Sequence, residues 1–203
     1  LLECKNIESV TANDMSKKSI ESIKKNCALN KIKVNEYNYP EKNKKKSELN
    51  IFNTDANKFL IESSGFSYID IDPFGNPNGF LPAACDRIAR DGIMAVTATD
   101  TSALAGTYDS ACKRKYWAKP LRNELMHEVG LRIFIRKCQL IASQFDKALY
   151  PIYSISTEHY VRIFLRCEKG KKKVDEILKK HKFLHYCNKC GNRFVNELNL
   201  EKC

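Results

Sequence analysis

The fold of this chain is decided by the stretch Phe66-Ser67-Tyr68-Ile69-Asp70-Ile71-Asp72-Pro73-Phe74-Gly75. Its first six residues form an apolar run of strand length, and the four that follow are typical of a loop at a strand end. The residue before a proline is held extended, so the carboxylate of Asp72 points out of the strand end. Gly75 lets the chain turn without a side chain in the way. The stretch therefore predicts a strand whose carboxyl end carries a carboxylate and an aromatic ring.

The loop after this strand suits a flat nucleobase that carries an exocyclic amine. The lone pair of such an amine is delocalised into the ring, so a catalyst must accept its N–H hydrogens and localise the lone pair. Asp72 supplies a carboxylate and Pro73 a carbonyl for this purpose, and Phe74 offers a face on which a flipped base can stack. On the tetrapeptide alone, an ordinary turn is an equally good interpretation, because Asp, Pro and Gly are the usual turn formers.

Three further strand-like runs, over residues 9–12, 49–53 and 92–98, end in polar residues and precede a helical pattern or a loop. This order predicts an α/β fold with an open, mostly parallel sheet. Ligands of such sheets lie beyond the carboxyl ends of the strands, so we expect the acids at those ends to converge on one crevice. For any single acid, a loop cap or a solvated turn is the alternative. The four acids are Asp14, Asp55, Asp72 and Asp100.

Two of these strand ends have the character of a nucleoside-cofactor site. An acid at the end of the second strand usually holds the ribose hydroxyls of such a cofactor, and this role suits Asp14. Asp55 is placed to accept a hydrogen bond from an adenine amino group, while the backbone N–H of Ala56 donates to the ring.

The remaining periodicity predicts helices that pack on the sheet and a closing pair of strands. Ser16 is the predicted N-cap of a helix whose apolar positions include Ile20 and Cys27. The polar stretch 35–48 predicts an inserted loop. Further predicted elements are helices over 80–88 and 123–145, strands over 149–156 and 160–167, and a short amphipathic helix built on Val174, Ile177 and Leu178. In the strand over 160–167, the alternating residues Val161, Ile163 and Leu165 are predicted to point inward.

Four segments, in this order along the chain, resemble the tRNA (guanine-26-N2)-dimethyltransferase family. They are Val10-Thr11-Ala12-Asn13-Asp14, Asp55-Ala56-Asn57, Asp72-Pro73-Phe74-Gly75 and Val96-Thr97-Ala98-Thr99-Asp100. The resemblance covers nearly the whole chain, because Lys119-Pro120, His127-Glu128, Leu131-Arg132 and the stretch 153–157 also match.

The resemblance implies a Rossmann-like class I methyltransferase, mostly parallel with a closing antiparallel strand. It implies transfer of two methyl groups from S-adenosylmethionine to the N2 of guanine 26 in tRNA, giving N2,N2-dimethylguanine. Asp14, Asp55 and Ala56 would contact the S-adenosylmethionine, and Asp72 would orient and activate the amine, with Pro73 and Phe74 beside it. Such a protein is expected in the cytoplasm of an archaeon, or in the nucleus or mitochondrion of a eukaryote. The family's Gly-rich segment ahead of Val10 is missing, so we expect the printed sequence to be a fragment.

Composition favours a polyanionic partner. The 203 residues can bury one good core and a small appendage, and 35 Lys and Arg against 24 Asp and Glu give a net charge of +11. A Lys-rich genome would give the same composition. No run approaches the ~20 apolar residues of a membrane span, and nine cysteines without regular spacing fit a reducing compartment. The cluster assigned to tRNA phosphates is interleaved with aromatic residues and comprises Lys113, Arg114, Lys115, Trp117 and Arg122.

The tail predicts a zinc site. Cys187 and Cys190 have the knuckle spacing of two thiolates on one tetrahedral Zn²⁺, Gly191 allows the turn, and Cys203 lies at a distance suited to a third ligand. Unpaired structural cysteines and a redox pair are the alternatives. The fourth ligand is His181, His185 or a residue beyond Cys203, and the last of these is favoured. We therefore divide the chain into a catalytic domain over 1–170 and the start of a tRNA-binding zinc domain over 171–203.

Two other functions are left open. Methyltransferases that act on adenine N6 in DNA or RNA also use Asp/Asn-Pro-Pro-aromatic loops, although Gly75 and the Thr97–Asp100 element favour guanine. A non-catalytic RNA-binding protein with a zinc module is a hypothesis of a different class. Loss of methyl transfer on changing Asp72 to Ala, with tRNA binding kept, would separate the enzyme from the binding protein.

Overall fold

The computed structural model describes residues 7–37 and 49–199. By its internal contacts the chain divides into two units, Leu1–Phe66 and Ser67–Cys203, which are treated separately below. The domain boundary predicted at residue 170 stays a prediction. Cys4 and the four lysines Lys42, Lys44, Lys45 and Lys46 lie outside the described residues.

The first unit is built on a parallel three-stranded sheet with the strand order β1-β3-β2. Val10 and Val34 both pair with Leu49, so β3 lies in the middle. As predicted, the Ser16 hydroxyl caps the first helix, accepting the Ser19 N–H at 3.3 Å. The elements are β1 (Val10–Asn13), α1 (Lys17–Leu29), β2 (Val34–Tyr37), β3 (Leu49–Phe52) and α2 (Ala56–Glu62).

The core of this unit forms where α1 meets the sheet. Ile20 and Cys27 lie on one face of α1 and pack against Leu49 and Ile51. The prediction of a loop from residue 35 is wrong for 35–37, which belong to β2. That polar segment is stabilised by backbone pairing with β3, and the Tyr37 ring stacks on Phe52 at 5.4 Å between centroids.

The second unit carries a sheet with the order β4-β5-β7-β6 and, near its end, a two-stranded hairpin. β7 pairs antiparallel with both β5 and β6, so it is the predicted closing antiparallel strand. The elements are β4 (Phe66–Ile71, beginning on the last residue of the first unit), α3 (Leu81–Arg87), β5 (Ile88–Ala98), α4 (Thr101–Leu104), α5 (Asp109–Tyr116), α6 (Met126–Ser143), β6 (Lys147–Ser156), β7 (Val161–Lys169), α7 (Lys171–Leu178), β8 (Phe183–Tyr186) and β9 (Arg193–Asn196).

Alternation along β7 sets the core of the second unit. Val161, Ile163 and Leu165 are buried, as the sequence predicts, and Cys167 continues the pattern. Helix α6 contributes further buried residues, and its Gly130 allows close contact with α4, because a Cβ there would lie 3.1 Å from the Leu104 carbonyl oxygen.

A buried lysine holds the end of α3. The Lys147 ammonium donates to the carbonyl oxygens of Cys85, Asp86 and Ile88 at 2.8, 2.6 and 2.8 Å. These are carbonyls that a helix leaves unpaired at its C-terminus, so the cation satisfies them and complements the helix dipole. Burial lowers the pKa of Lys147.

None of the helices within residues 7–37 and 49–199 combines the length and the hydropathy needed to cross a membrane.

Candidate active site

The loop after β4 presents its functional groups outward. The Asp72 side chain is exposed, and the Phe74 ring is fully exposed. Gly75 has a φ of 83°, in the left-handed region that glycine adopts without strain, and a Cβ there would meet nothing within 4 Å. Asp72 is thus not turned into the core, and among the described residues the space beside Gly75 is open.

Thr99 anchors this loop to the end of β5. The Gly75 N–H donates to Thr99 Oγ1 at 2.7 Å, and the Thr99 N–H donates to the Gly75 carbonyl oxygen at 2.9 Å. The Asp-Pro-Phe-Gly and Thr-Ala-Thr-Asp segments are therefore joined directly. The sequence predicts that both lie at the same sheet edge but does not reveal this bond.

Asp100 is engaged by helix α5. Its carboxylate forms an ion pair with the Lys115 ammonium and accepts a hydrogen bond from Ser102 Oγ at 3.3 Å. Asn78, just beyond the loop, donates to the Lys115 carbonyl oxygen at 2.7 Å. Lys115 thus ties the end of α5 both to the end of β5 and to the segment after Gly75, which is a structural role.

In the first unit, Asp14 and Asp55 lie at the carboxyl ends of the parallel neighbours β1 and β3. Asp14 Oδ1 accepts the Ser16 N–H at 2.7 Å, and Asp55 Oδ1 accepts the Lys58 N–H at 2.9 Å as the N-cap of α2. Asn53 Nδ2 bonds the Asp14 carbonyl oxygen at 2.8 Å and so joins the two strand ends. Their predicted convergence with Asp72 and Asp100, which belong to the second unit, stays a prediction.

Two buried acceptors stand beside these acids. Within the part of the chain that the structure describes, Asn13 Oδ1 and Asn57 Oδ1 have no hydrogen-bond partner. A buried acceptor without a donor is costly, by about 1–3 kcal/mol. Asn13 precedes Asp14 and Asn57 follows Ala56, so this edge fits a ligand that brings hydroxyl or amino hydrogens.

The end of α5 carries a basic and aromatic cluster. Lys113 and Arg114 in its last turn are exposed, and so is Arg122 in the loop that follows. Trp117, the C-cap, is half exposed and has a φ of 56°, which is strained for a bulky residue. The Lys137 ammonium lies 2.9 Å from the centroid of its ring.

Lys137 is a residue that the sequence does not point to. It is only 4% exposed, on the core side of α6, and burial lowers its pKa to about 8. The contact with Trp117 is a cation–π interaction, which gains strength where the cation is desolvated. The one sequence signal for Lys137 is that a lysine occupies an apolar position in the pattern of α6.

The two cysteines of the knuckle lie around the turn of the β8–β9 hairpin. The Gly191 N–H donates to the Cys187 carbonyl oxygen at 2.8 Å with a φ of 70° at Gly191, and Cys190 is exposed. Cys203 lies outside the described residues. Among 7–37 and 49–199, no three His, Cys, Asp or Glu side chains form a group that could hold a metal.

The two candidate histidine ligands have other partners. His181 Nε2 lies 2.7 Å from Gln139 Oε1, and His185 Nε2 lies 2.9 Å from the Leu198 carbonyl oxygen. Their contacts favour neither as the fourth ligand.

The strand order, the aspartates at the helix starts and the anchored loop after β4 define a methyltransferase-type α/β protein. The family model of N2,N2-dimethylguanosine tRNA methyltransferases matches residues 1–203. The chain belongs to this family, which confirms the resemblance drawn from the motifs.

Individual relatives agree. The chain is 42% identical over 197 residues to the tRNA (guanine(26)-N(2)/guanine(27)-N(2))-dimethyltransferase of Aquifex aeolicus, covering 96% of this chain and 47% of the relative. It is 40% identical over 198 residues to the tRNA (guanine(26)-N(2))-dimethyltransferase of Methanobrevibacter smithii, with the same two coverages. The chain thus spans about half the length of the curated relatives it matches.

A solved structure supports the fold. Trm1 from Pyrococcus horikoshii, in complex with S-adenosyl-L-methionine, superposes with a TM-score of 0.85 at 35% identity, covering 96% of this chain and 53% of that one. The predicted Rossmann-like fold is therefore confirmed.

Proposed function

We propose that the whole protein transfers methyl groups from S-adenosylmethionine to the exocyclic N2 of guanine 26 in tRNA, giving N2,N2-dimethylguanine. Relatives that share this chain at 40–42% identity have names stating that activity. The observation that carries the proposal is the loop after β4, where an exposed carboxylate and a fully exposed aromatic ring are fixed to β5 through Thr99.

Asp72 would do the central chemistry. Its carboxylate accepts one N–H of the guanine amine and the Pro73 carbonyl accepts the other, so the nitrogen lone pair is localised for attack. S-adenosylmethionine, when bound, supplies an electrophilic methyl group. When the N2 lone pair has attacked the methyl carbon and the methyl–sulfur bond has broken, the N–H proton would pass to the Asp72 carboxylate that already accepts it, so no strong base is needed. The flipped guanine stacks on Phe74.

A second methylation needs space. After one methyl group is added, a single N–H remains and the amine must turn before it can react again. Among the described residues, a Cβ at Gly75 would meet nothing within 4 Å, and this space is proposed to give the amine room to turn.

Asp14, Asp55 and Ala56 would hold the methyl donor. One oxygen of each carboxylate accepts a backbone N–H at the start of a helix, and the other is proposed to accept from a ribose hydroxyl or the adenine amine. The unpartnered acceptors of Asn13 and Asn57 at the same edge support this, because a nucleoside brings the missing donors.

The tRNA backbone would lie across α5. Lys113, Arg114 and Arg122 are exposed cations suited to phosphates, while Trp117 offers a ring supported from below by Lys137. Lys115 was predicted to contact tRNA as well, but its pairing with Asp100 favours the structural role.

The tail is proposed to hold a structural Zn²⁺ through Cys187, Cys190 and Cys203. The turn at Gly191 brings the first two cysteines around one hairpin end, which is the backbone arrangement that a zinc knuckle needs. Zinc would join this hairpin to the segment around Cys203, as the start of a tRNA-binding domain.

The test uses the full-length protein and unmodified tRNA. Nucleosides are digested after the reaction and analysed by mass spectrometry, in parallel with tRNA binding by the wild type and Asp72→Ala. We expect N2,N2-dimethylguanosine from the wild type, and no methyl transfer but retained tRNA binding by the variant. N6-methyladenosine would instead support the adenine alternative. Wild-type binding without any transfer would support the non-catalytic RNA-binding protein.

A further inference from the structure

We propose that Arg162 is a positioning residue for the amine-binding loop, holding the ends of β4 and β5 at the spacing that places Asp72. This inference rests on the proposed function. It concerns a residue outside all four family-like segments.

One guanidinium bridges the two strands. Arg162 Nη1 donates to Thr97 Oγ1 at 2.6 Å, and Nη2 donates to Asp70 Oδ2 at 2.7 Å. The register places Arg162 directly opposite Thr97, and the strand order β4-β5-β7 places Asp70 one strand further on. The side chain is 20% exposed, so this contact is partly shielded from water.

Both partners lie two residues before a functional position. Side chains two residues apart share a face of a strand, so a contact that fixes Asp70 also fixes the position of Asp72. In the same way, Thr97 lies two residues before Thr99, whose hydroxyl anchors Gly75. Arg162 therefore fixes, with a single planar group, the ends of the two strands that carry Asp72 and Thr99.

The charges fit this role. Burial acts to lower the pKa of Arg162, but the hydrogen bond and charge of Asp70, with smaller effects of Tyr68 and Asp72, raise it above its usual value. The guanidinium thus interacts electrostatically with the Asp72 carboxylate as well as with Asp70. The Tyr68 hydroxyl also donates to Asp70 Oδ2, at 3.1 Å, so two donors hold the same carboxylate oxygen.

A lysine could not replace this arginine. The planar fork points two N–H groups at two strands in fixed directions, whereas an ammonium is a single charge on a flexible stem. A shift of ~1 Å in a reacting group can cost about a hundredfold in rate. The bridge therefore controls the rate of the chemical step without contacting the substrate.

The experiment measures kcat, and KM for tRNA and for S-adenosylmethionine, in the full-length wild type, Arg162→Gln, Arg162→Lys and Asp70→Asn. We expect Arg162→Gln to lower kcat by about tenfold to a hundredfold with each KM within about twofold of wild type. Arg162→Lys should recover only a small part of kcat. Asp70→Asn, which keeps an acceptor, should lose less than Arg162→Gln.

Three results would overturn the inference. They are an unchanged kcat in Arg162→Gln, a raised KM for tRNA with kcat kept, and equal losses in Arg162→Gln and Asp70→Asn that follow the loss of folded protein in a thermal melt. If Arg162→Gln does not fold, Thr97→Val removes one arm of the bridge without changing shape, and an unchanged kcat there rejects the role. A wild type without methyl transfer would reject the proposed function instead.

Discussion

Aspartates at strand ends serve two different purposes in the two units. In the first unit, Asp14 and Asp55 each accept a backbone N–H at the start of a helix. In the second unit, Asp72 lies in a loop, and the next helix begins only at Leu81. Within the described residues the Asp72 carboxylate caps no helix. Whether a helix begins directly after the aspartate therefore decides whether its carboxylate stabilises the fold or stays available to a substrate.

The largest expected effect tests the available carboxylate. Asp72→Asn keeps the shape and one acceptor oxygen but loses the charge, so we expect kcat to fall by about a hundredfold. Its melting temperature should match the wild type, because an exposed residue without a capping role is replaced. Steady-state kinetics and thermal melts on the full-length protein check both statements. A lower melting temperature would mean that Asp72 is a structural residue like Asp55.

The next effect concerns the ring beside that carboxylate. Phe74→Ala removes a stacking surface worth about 1–3 kcal/mol per base, so kcat/KM for tRNA should fall by about tenfold or more. Phe74→Tyr is the matched control, because it keeps the ring face. Since the ring is fully exposed, neither change should alter the unfolding free energy. Equal activity of the Ala and Tyr variants would contradict stacking.

A third effect tests whether Asp55 both caps a helix and binds the cofactor. Asp55→Ala should lower the unfolding free energy by ~1 kcal/mol, because the N-cap of α2 is lost. Asp55→Ser restores a capping oxygen and should recover the stability. The serine variant should still show a raised KM for S-adenosylmethionine, since the carboxylate is gone. Denaturant unfolding combined with that KM separates the two roles, and a normal KM would exclude Asp55 from the cofactor site.

Two lysines of the second unit have different partners. Lys115 pairs with the carboxylate of Asp100, whereas Lys137 lies against the aromatic ring of Trp117. The pKa of Lys137, about 8 in the folded protein, is below its unfolded value, so the unfolded state binds more protons between them. Unfolding free energy should therefore rise with pH from pH 8 upward, and fall as pH drops toward 8. Between neutral and mildly alkaline pH, the unfolding free energy of the wild type should rise more than that of Lys137→Met. The difference between the two rises is expected to be on the order of 1 kcal/mol. Parallel pH curves for the two proteins would contradict it.

Local signals in the sequence predict much of the fold. β4 spans the predicted residues 66–71, the Ser16 cap is present, and β7 alternates as expected, because each depends on neighbours in sequence. Strand β2 is missed, since its polar residues become a strand only through the edge that β3 offers.

The site is harder to predict than the fold, because its supports come from distant positions. Arg162 meets Asp70 across 92 residues of sequence, and Lys137 occupies a buried position that a lysine rarely fills. The motifs therefore identify Asp72 and its loop, while the groups that hold them become visible only in three dimensions.

The placement of Trp117 has a practical consequence. It is the single tryptophan among the 203 residues, and one face of its indole lies against a lysine ammonium. Indole emission responds to a nearby charge and to stacking, so this chain carries an intrinsic optical probe at its proposed RNA-facing end. The difference in fluorescence between the wild type and Trp117→Phe would follow tRNA docking in real time without any attached dye.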